Sequence, residues 1–301
     1  MSEPADVVLP ESVTLADGEG GLPLLRVRAP GGVAEVYLHG GQVTAWTPAG
    51  QAPVIWMSRR SLFEPGRAIR GGVPICFPWF GPGRNGEMSP AHGFARVADW
   101  KLHGARQDGD AVVVTLRLTD GDVVGLPGAE LWPYRFDARY TITVGAELGL
   151  ELSVRNTGAE AVTFEEALHT YLGVSDVREV QVDGLDGATY ADKTSGGALV
   201  RQEGPVVFTG ETDRVYRSSA DVSVRDGART LVVATTNSQS TIVWNPWVAK
   251  AAAMSDFGDE EWPTMVCVET ANVADDAVVL APGESHAVHA RIGVTLHAGR
   301  P

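Results

Sequence analysis

The sequence predicts an all-β fold, a large antiparallel β-sandwich, and three observations carry that expectation. Short segments alternating apolar and polar residues follow one another along most of the chain. Asp-Gly, Asn-Thr-Gly and Pro-Gly turns separate them, and no segment sustains the three- and four-residue apolar spacing of a helix. A chain of 301 residues, 44% of them hydrophobic, has ample material for one large core. No composition break or linker divides it, so residues 1–11 read as a flexible leader and residues 12–301 as a single domain.

The segments run in order from Leu24. LLRVRA comes first, then GVAEVYLHG, in which Val33, Glu35 and Tyr37 alternate with Ala34, Val36 and Leu38. Gly40-Gly41 and Pro48 punctuate the chain before PVIWMS. AVVVTLRL (111–118) and YRFDARYTITV (134–144) read as strands. LGLELSVRN (148–156) is the clearest, with Leu148, Leu150, Leu152 and Val154 on one face and Glu151, Ser153 and Arg155 on the other. VTFEEALHTYLGV (162–174), VREVQVDG (177–184), PVVFTG (205–210), ADVSVRDG (220–227) and TLVVATTN (230–237) follow. STIVWNPW (240–247), MVCVETANV (265–273) and SHAVHARIGVTL (285–296) close the series. The best helix candidate, VAKAAAMSDF (248–257), is short, and residues 184–204 carry no readable pattern.

Charge and composition narrow the function. Lys and Arg number 24 against 38 Asp and Glu, a formal charge of −14, which argues against nucleic acid or an anionic membrane as the main partner. An anionic small molecule would need a locally basic pocket. Cys76 and Cys267 sit in apolar runs and read as buried free thiols of a reducing compartment. MSEPADVVLPE lacks the basic and apolar regions of a signal peptide, and no run approaches the ~20 apolar residues of a membrane helix. The expected location is the cytoplasm, and the sequence leaves the oligomeric state open.

Between Arg70 and Arg96 the pattern changes. Pro74, Pro78 and Pro82 interrupt strand pairing, yet Val73, Ile75, Phe77, Trp79 and Phe80 are too apolar to lie in water. A buried irregular segment must find partners for its backbone groups, and such segments tend to form sites. Its polar exceptions are Arg70, Arg84, His92 and Arg96. Guanidinium groups fork onto phosphate or carboxylate oxygens, and an imidazole donates to a sugar hydroxyl.

Three further polar residues stand among apolar neighbours. Period-two alternation puts His169 on one face with Ala167 and Tyr171, and Glu269 with Met265 and Cys267. From the residues alone, His169 is either a satisfied core histidine or a functional one. Glu269 is either a strand-end acid paired with a surface base or an acid with a raised pKa. Lys250, just after WNPW, is either solvated or directed at a ligand. The seven histidines show no compact metal-ligand spacing, and neither a Walker loop, a GxGxxG after a strand nor a GxSxG motif occurs. No metal or organic cofactor is expected.

Taken in order, IRGGVPICFPWFG, HGFAR, EEALHTYL, TDRVY, WNPW and CVETAN resemble the aldose 1-epimerase superfamily. Within it they resemble the glucose-6-phosphate 1-epimerase (hexose-6-phosphate mutarotase) branch. The motifs span about Arg70 to Asn272, and flanking GQVTAW and APGES extend the resemblance over nearly the whole chain. It implies a galactose mutarotase-like β-sandwich with a sugar site in a cleft on one sheet. It also implies His169 as general acid and Glu269 as general base, with Arg70 and Arg96 binding a phosphate and His92 near the sugar. Asp213 would hold sugar hydroxyls, and Lys250 would help hold the phosphate. The activity implied is cofactor-independent interconversion of the anomers of a hexose 6-phosphate, most simply glucose 6-phosphate. The alternatives are a mutarotase for a neutral aldose and a non-catalytic carbohydrate-binding module.

Overall fold

The computed structural model describes residues 7–297. The first six residues of the expected leader lie outside that range; of the remainder, Leu9 already packs against the core. Two eight-stranded antiparallel sheets dominate the fold. The first runs in the order Ala198–Arg201, Thr189–Asp192, Thr212–Arg217, Ser240–Asn245, Met265–Asn272, Glu166–Leu168, Ile75–Cys76, with Tyr171–Gly173 also paired to Met265–Asn272. The second runs Gln181–Asp183, Val222–Asp226, Arg229–Thr236, Ser285–Leu296, Leu148–Asn156, Phe136–Val144, Ala111–Thr119, Lys101–Asp108. A four-stranded sheet, Val13–Asp17 to Val43–Pro48, and a pair, Val162–Phe164 with Val278–Leu280, complete the β structure.

Burial explains which strands alternate. Leu148–Asn156 turns Leu148, Leu150, Leu152 and Val154 inward and leaves the residues between them partly exposed, as its pattern predicts. Ser240–Asn245 and Met265–Asn272 are buried at every position, because both faces of the first sheet are covered at its centre. One continuous apolar core draws on both large sheets. A polar tie also joins them: Glu166 Oε1 accepts from Asn272 Nδ2 at 2.9 Å and lies 2.9 Å from His286 Nε2 of the second sheet.

Several expected strands are shorter than their sequence pattern. VTFEEALHTYLGV is three pieces, Val162–Phe164, Glu166–Leu168 and Tyr171–Gly173. The Glu165 N–H leaves the ladder for Pro78 O, and the Thr170 N–H turns back to Leu168 O. Within VREVQVDG only Gln181–Asp183 is a strand, and PVVFTG and PVIWMS make only isolated bridges. The helix is Trp247–Ala253. Residues 184–204, silent in sequence, form a hairpin of Thr189–Asp192 with Ala198–Arg201 at the edge of the first sheet.

Candidate active site

The register of the first sheet assembles the site. Tyr171 pairs with Cys267, Cys267 with Trp244, and Trp244 with Asp213. Because side chains alternate along a strand, these four lie in one row on one face, and Glu269 is a step further on the same face. Leu168 pairs with Thr270 before the kink and Tyr171 with Cys267 after it, so His169 falls opposite Glu269. His169 Nδ1 stands 3.4 Å from Glu269 Oε1.

The Pro/Gly-rich segment forms the rest of the site. The His169 N–H donates to Pro74 O and the Tyr171 N–H to Gly72 O, so the backbone of IRGGVP holds the kink. Gly72, at φ +69°, has no room for a side chain: a Cβ there would lie 2.3 Å from Val43 O. Gln42 Nε2 donates to Gly71 O and fixes the same turn. In HGFAR, a Cβ on Gly93 would lie 2.1 Å from Phe77 O. Glu165 accepts from the N–H groups of Phe80 and Ala274, anchoring the aromatic wall.

Two buried polar atoms of the His169–Glu269 pair lack protein partners among the described residues. Glu269 is 1% exposed and His169 7%. At 3.4 Å their contact misses hydrogen-bond geometry, so His169 Nδ1 and Glu269 Oε2 have no partner among the described residues. Burial raises the Glu269 pKa well above the ordinary carboxylate range; Asp213 raises it further, while Lys193 and Arg96 oppose. Burial lowers His169 well below the ordinary imidazole value, and the Arg96 and Arg70 charges lower it further. His169 stacks on Tyr171, ring centroids 4.8 Å apart at 11°, and meets the Trp244 edge at 6.0 Å.

His92 and the two arginines stand over the pair. The Gly81 N–H donates to His92 Nδ1, which assigns the proton of the neutral ring to Nε2, and the Cys76 thiol lies 3.3 Å from the same Nδ1. Burial and then Arg96 hold His92 below its ordinary pKa, so that ring is neutral. Its centroid is 5.8 Å from that of His169. Arg70 reaches Tyr171 Oη at 3.2 Å and Asp256 at 3.1 Å, and its buried Nε has no partner. Burial acts to lower the Arg70 pKa, but Tyr171 and Asp256 outweigh it and the net shift is upward. Arg96 donates to Ala91 O at 2.7 Å and, among the described residues, pairs with no carboxylate. Burial, and then Arg70, lowers its pKa.

The sequence-selected residues therefore divide. His169, Glu269, Arg70, His92, Arg96 and Asp213 surround one place. Asp213 is half-buried, and burial raises its pKa against the opposing pull of Lys193 and Lys250. Lys250 departs from the expectation. The short helix directs its ammonium to Glu211, 2.8 Å away, in a half-exposed ion pair. Arg84 is exposed and lines a separate hollow with Trp79, Met88 and Trp132. Sequence reasoning missed Lys193, whose Nζ lies 4.4 Å from the Phe80 ring centroid. Its only signal was a lysine entering a Thr-Ser-Gly-Gly turn. A hollow of about 550 Å³ on the solvent face of the second sheet, around Thr141, Glu151, His289 and Arg291, contains none of these residues.

The fold is that of the sugar mutarotases, and the chain belongs to the aldose 1-epimerase family, whose profile it matches over residues 23–293. A protein of Escherichia coli K12 named as a candidate glucose-6-phosphate 1-epimerase is 36% identical over 269 residues, 88% of each chain. A plant protein of Cenchrus ciliaris with the same name is 37% identical over 265 residues, 83% of this chain and 78% of its own. Among solved structures, the candidate mutarotase YeaD of Salmonella typhimurium superposes with a TM-score of 0.87 at 30% identity, covering 98% of this chain and 97% of its own. A galactose mutarotase-like protein of Clostridium acetobutylicum shares the fold at 14% identity, with a TM-score of 0.72 over 94% of this chain and 98% of its own.

Proposed function

We propose that this protein interconverts the α and β anomers of a hexose 6-phosphate, with glucose 6-phosphate as the substrate, and that residues 12–301 carry the activity as one domain. The observation that carries the reading is a buried histidine–glutamate pair with two arginines at its edge, one of them without a carboxylate partner. The relatives of similar length named for glucose 6-phosphate support the same substrate.

The pair supplies the chemistry by proton transfer alone. Glu269 takes the proton of the anomeric hydroxyl while His169 gives one to the ring oxygen, and the ring opens to the aldehyde. After rotation about the adjacent carbon–carbon bond, His169 takes its proton back and Glu269 returns its own to the new hydroxyl. The site is therefore reset at the end of each turnover. Burial raises the Glu269 pKa, which makes it a stronger base than a solvated carboxylate. Arg96 and Arg70 depress His169 in the free site. A bound phosphate neutralises those charges and so favours the imidazolium that donates. His92 Nε2–H and Asp213 orient the sugar hydroxyls. Remote binding of the phosphate holds the ring in place, so binding energy lowers the barrier at C1. A cytoplasmic setting fits the two free thiols, Cys76 and Cys267, both buried; among the described residues no helix is long and apolar enough to cross a membrane.

The test is anomer exchange followed by proton NMR on freshly dissolved α-glucose 6-phosphate, with free glucose and galactose in parallel. The expected result is faster exchange for the phosphate. Equal acceleration of the neutral sugars would make the arginines structural, and no acceleration from folded protein would remove the catalytic reading.

A further inference from the structure

The edge hairpin brings a third cation to the site. Tyr190 pairs with Tyr216 and Asp192 with Arg214, and one more step of that register sets Lys193 opposite Asp213. Lys193 thus ends the row that begins at Tyr171. The turn that follows is fixed: Asp192 accepts from the Thr194 N–H and hydroxyl, and Gly196 and Gly197 take left-handed conformations. Asp192 is therefore occupied, and among the described residues Lys193 pairs with no carboxylate. Its side chain reaches the opposite wall instead, with Nζ 4.4 Å from the Phe80 centroid. Phe80 stands edge-on to His92 at 4.7 Å. The ammonium consequently lies across the site from the hairpin side, above a catalytic pair that is almost entirely buried.

We propose that Lys193 is a further substrate-binding residue, a third cation that leaves the face of Phe80 and grips the phosphate together with Arg70 and Arg96. The inference rests on the hexose-phosphate reading above. The exchange is favourable, because a partly solvated cation–π contact contributes less than a hydrogen bond to a doubly charged anion. Arg96, Lys193 and Arg70 all lower the pKa of His92, so the three cations converge on the space around that ring. A chain of net charge −14 also needs such local cations to hold a phosphate at all.

The experiment measures KM and kcat for anomer exchange of glucose 6-phosphate, and inhibition by inorganic phosphate, in wild type, Lys193→Met and Lys193→Arg. In Lys193→Met, KM and the inhibition constant of phosphate should both rise about 10- to 100-fold, with the larger part of the loss in KM rather than kcat. Lys193→Arg should recover most of both. An unchanged KM and inhibition constant in folded Lys193→Met would overturn the proposal, as would a loss confined to kcat. A wild-type protein inactive on glucose 6-phosphate would overturn the underlying substrate reading, which separates the two failures.

Discussion

Two buried glutamates, Glu261 and Glu269, lie near each other in sequence and behave in opposite ways. Glu261 is 5% exposed and saturated: it accepts from Ser58 Oγ, the Arg59 N–H, Arg59 Nε and the Gly258 N–H. Burial acts to raise its pKa, but those donors outweigh burial and the net shift is downward. Glu269, 1% exposed, receives no such set; its Oε2 has no partner and its pKa rises. One clasps the 58–61 turn to the 258–264 segment, beside the turn whose Ser61 hydroxyl accepts from the Arg70 N–H. The other faces a histidine across 3.4 Å. Burial is common to both, so burial alone does not distinguish them. The withheld hydrogen bonds do.

The largest expected effect breaks that comparison at the catalytic end. Glu269→Gln keeps the shape of the side chain and removes the base, so kcat for glucose 6-phosphate exchange should fall about 10³-fold or more. KM should change little and the far-UV circular dichroism should not change. Near-full activity would take Glu269 out of the mechanism. His169→Asn is expected to match it, because ring opening and ring closure each need both proton transfers.

Arg96 comes next, since it is the site arginine free of a carboxylate. Arg96→Met should raise KM for the phosphate roughly 10- to 100-fold. It should also move the pH–rate profile, and the sign follows from the two pKa values that Arg96 lowers. Arg96 holds down both His169 and Glu269, so its removal raises both. The acidic limb, set by ionisation of Glu269, and the alkaline limb, set by loss of the His169 proton, should both shift to higher pH. Groups around the pair that must be kept constant are Asp213, Lys193, His92 and Arg70. A profile that stays in place would mean that Arg96 does not act on the catalytic pair.

The sequence made much of this legible, for physical reasons that differ by position. Strands with one solvated face, such as Leu148–Asn156, alternate in sequence because half their side chains meet water. Met265–Asn272 is buried on both faces and does not alternate, yet Glu269 stood out because a carboxylate on a face shared with Met265 and Cys267 demands an explanation. The motif glycines told in sequence only against a helix; that Gly72 and Gly93 leave no space for a Cβ depends on segments brought in by the fold. Lys193 was not readable, because a lysine in a polar turn has the same sequence context whether or not its side chain crosses a cleft. Lys250 read from its own neighbours as either solvated or directed at a ligand, and in the fold its ammonium meets Glu211. Glu261 sits in GDEEWP and resembles any surface acid; its four donors come from two segments about 200 residues apart, a distance no local pattern spans.

At the structural end of the comparison, Glu261→Gln should leave the kcat of exchange close to wild type while lowering stability by about 1–3 kcal/mol, read as a fall in thermal midpoint of several degrees. The deficit should depend on pH. A carboxylate whose folded pKa is depressed contributes stability above its unfolded pKa and loses it as pH falls through the folded value. The gap between Glu261→Gln and wild type should therefore close below the ordinary carboxylate range. A gap that persisted in acid would mean that the amide fails by shape and not by lost charge.

The smallest effect has the opposite sign. Glu269 has a raised folded pKa, so its contribution is fully present below the ordinary carboxylate range and is lost as pH rises through the folded value. Above that point the fold must carry a buried carboxylate whose Oε2 has no donor among the described residues, and Glu269→Gln relieves it. The inactive variant should then melt higher than wild type, by about 1 kcal/mol or roughly 2–4 °C, at neutral and alkaline pH, and level with it in acid. Paired melts of the two glutamine variants across pH read both signs in one experiment. If Glu269→Gln were less stable than wild type at every pH, Glu269 would be a structural acid like Glu261, and the withheld hydrogen bonds would no longer separate the base from the clasp.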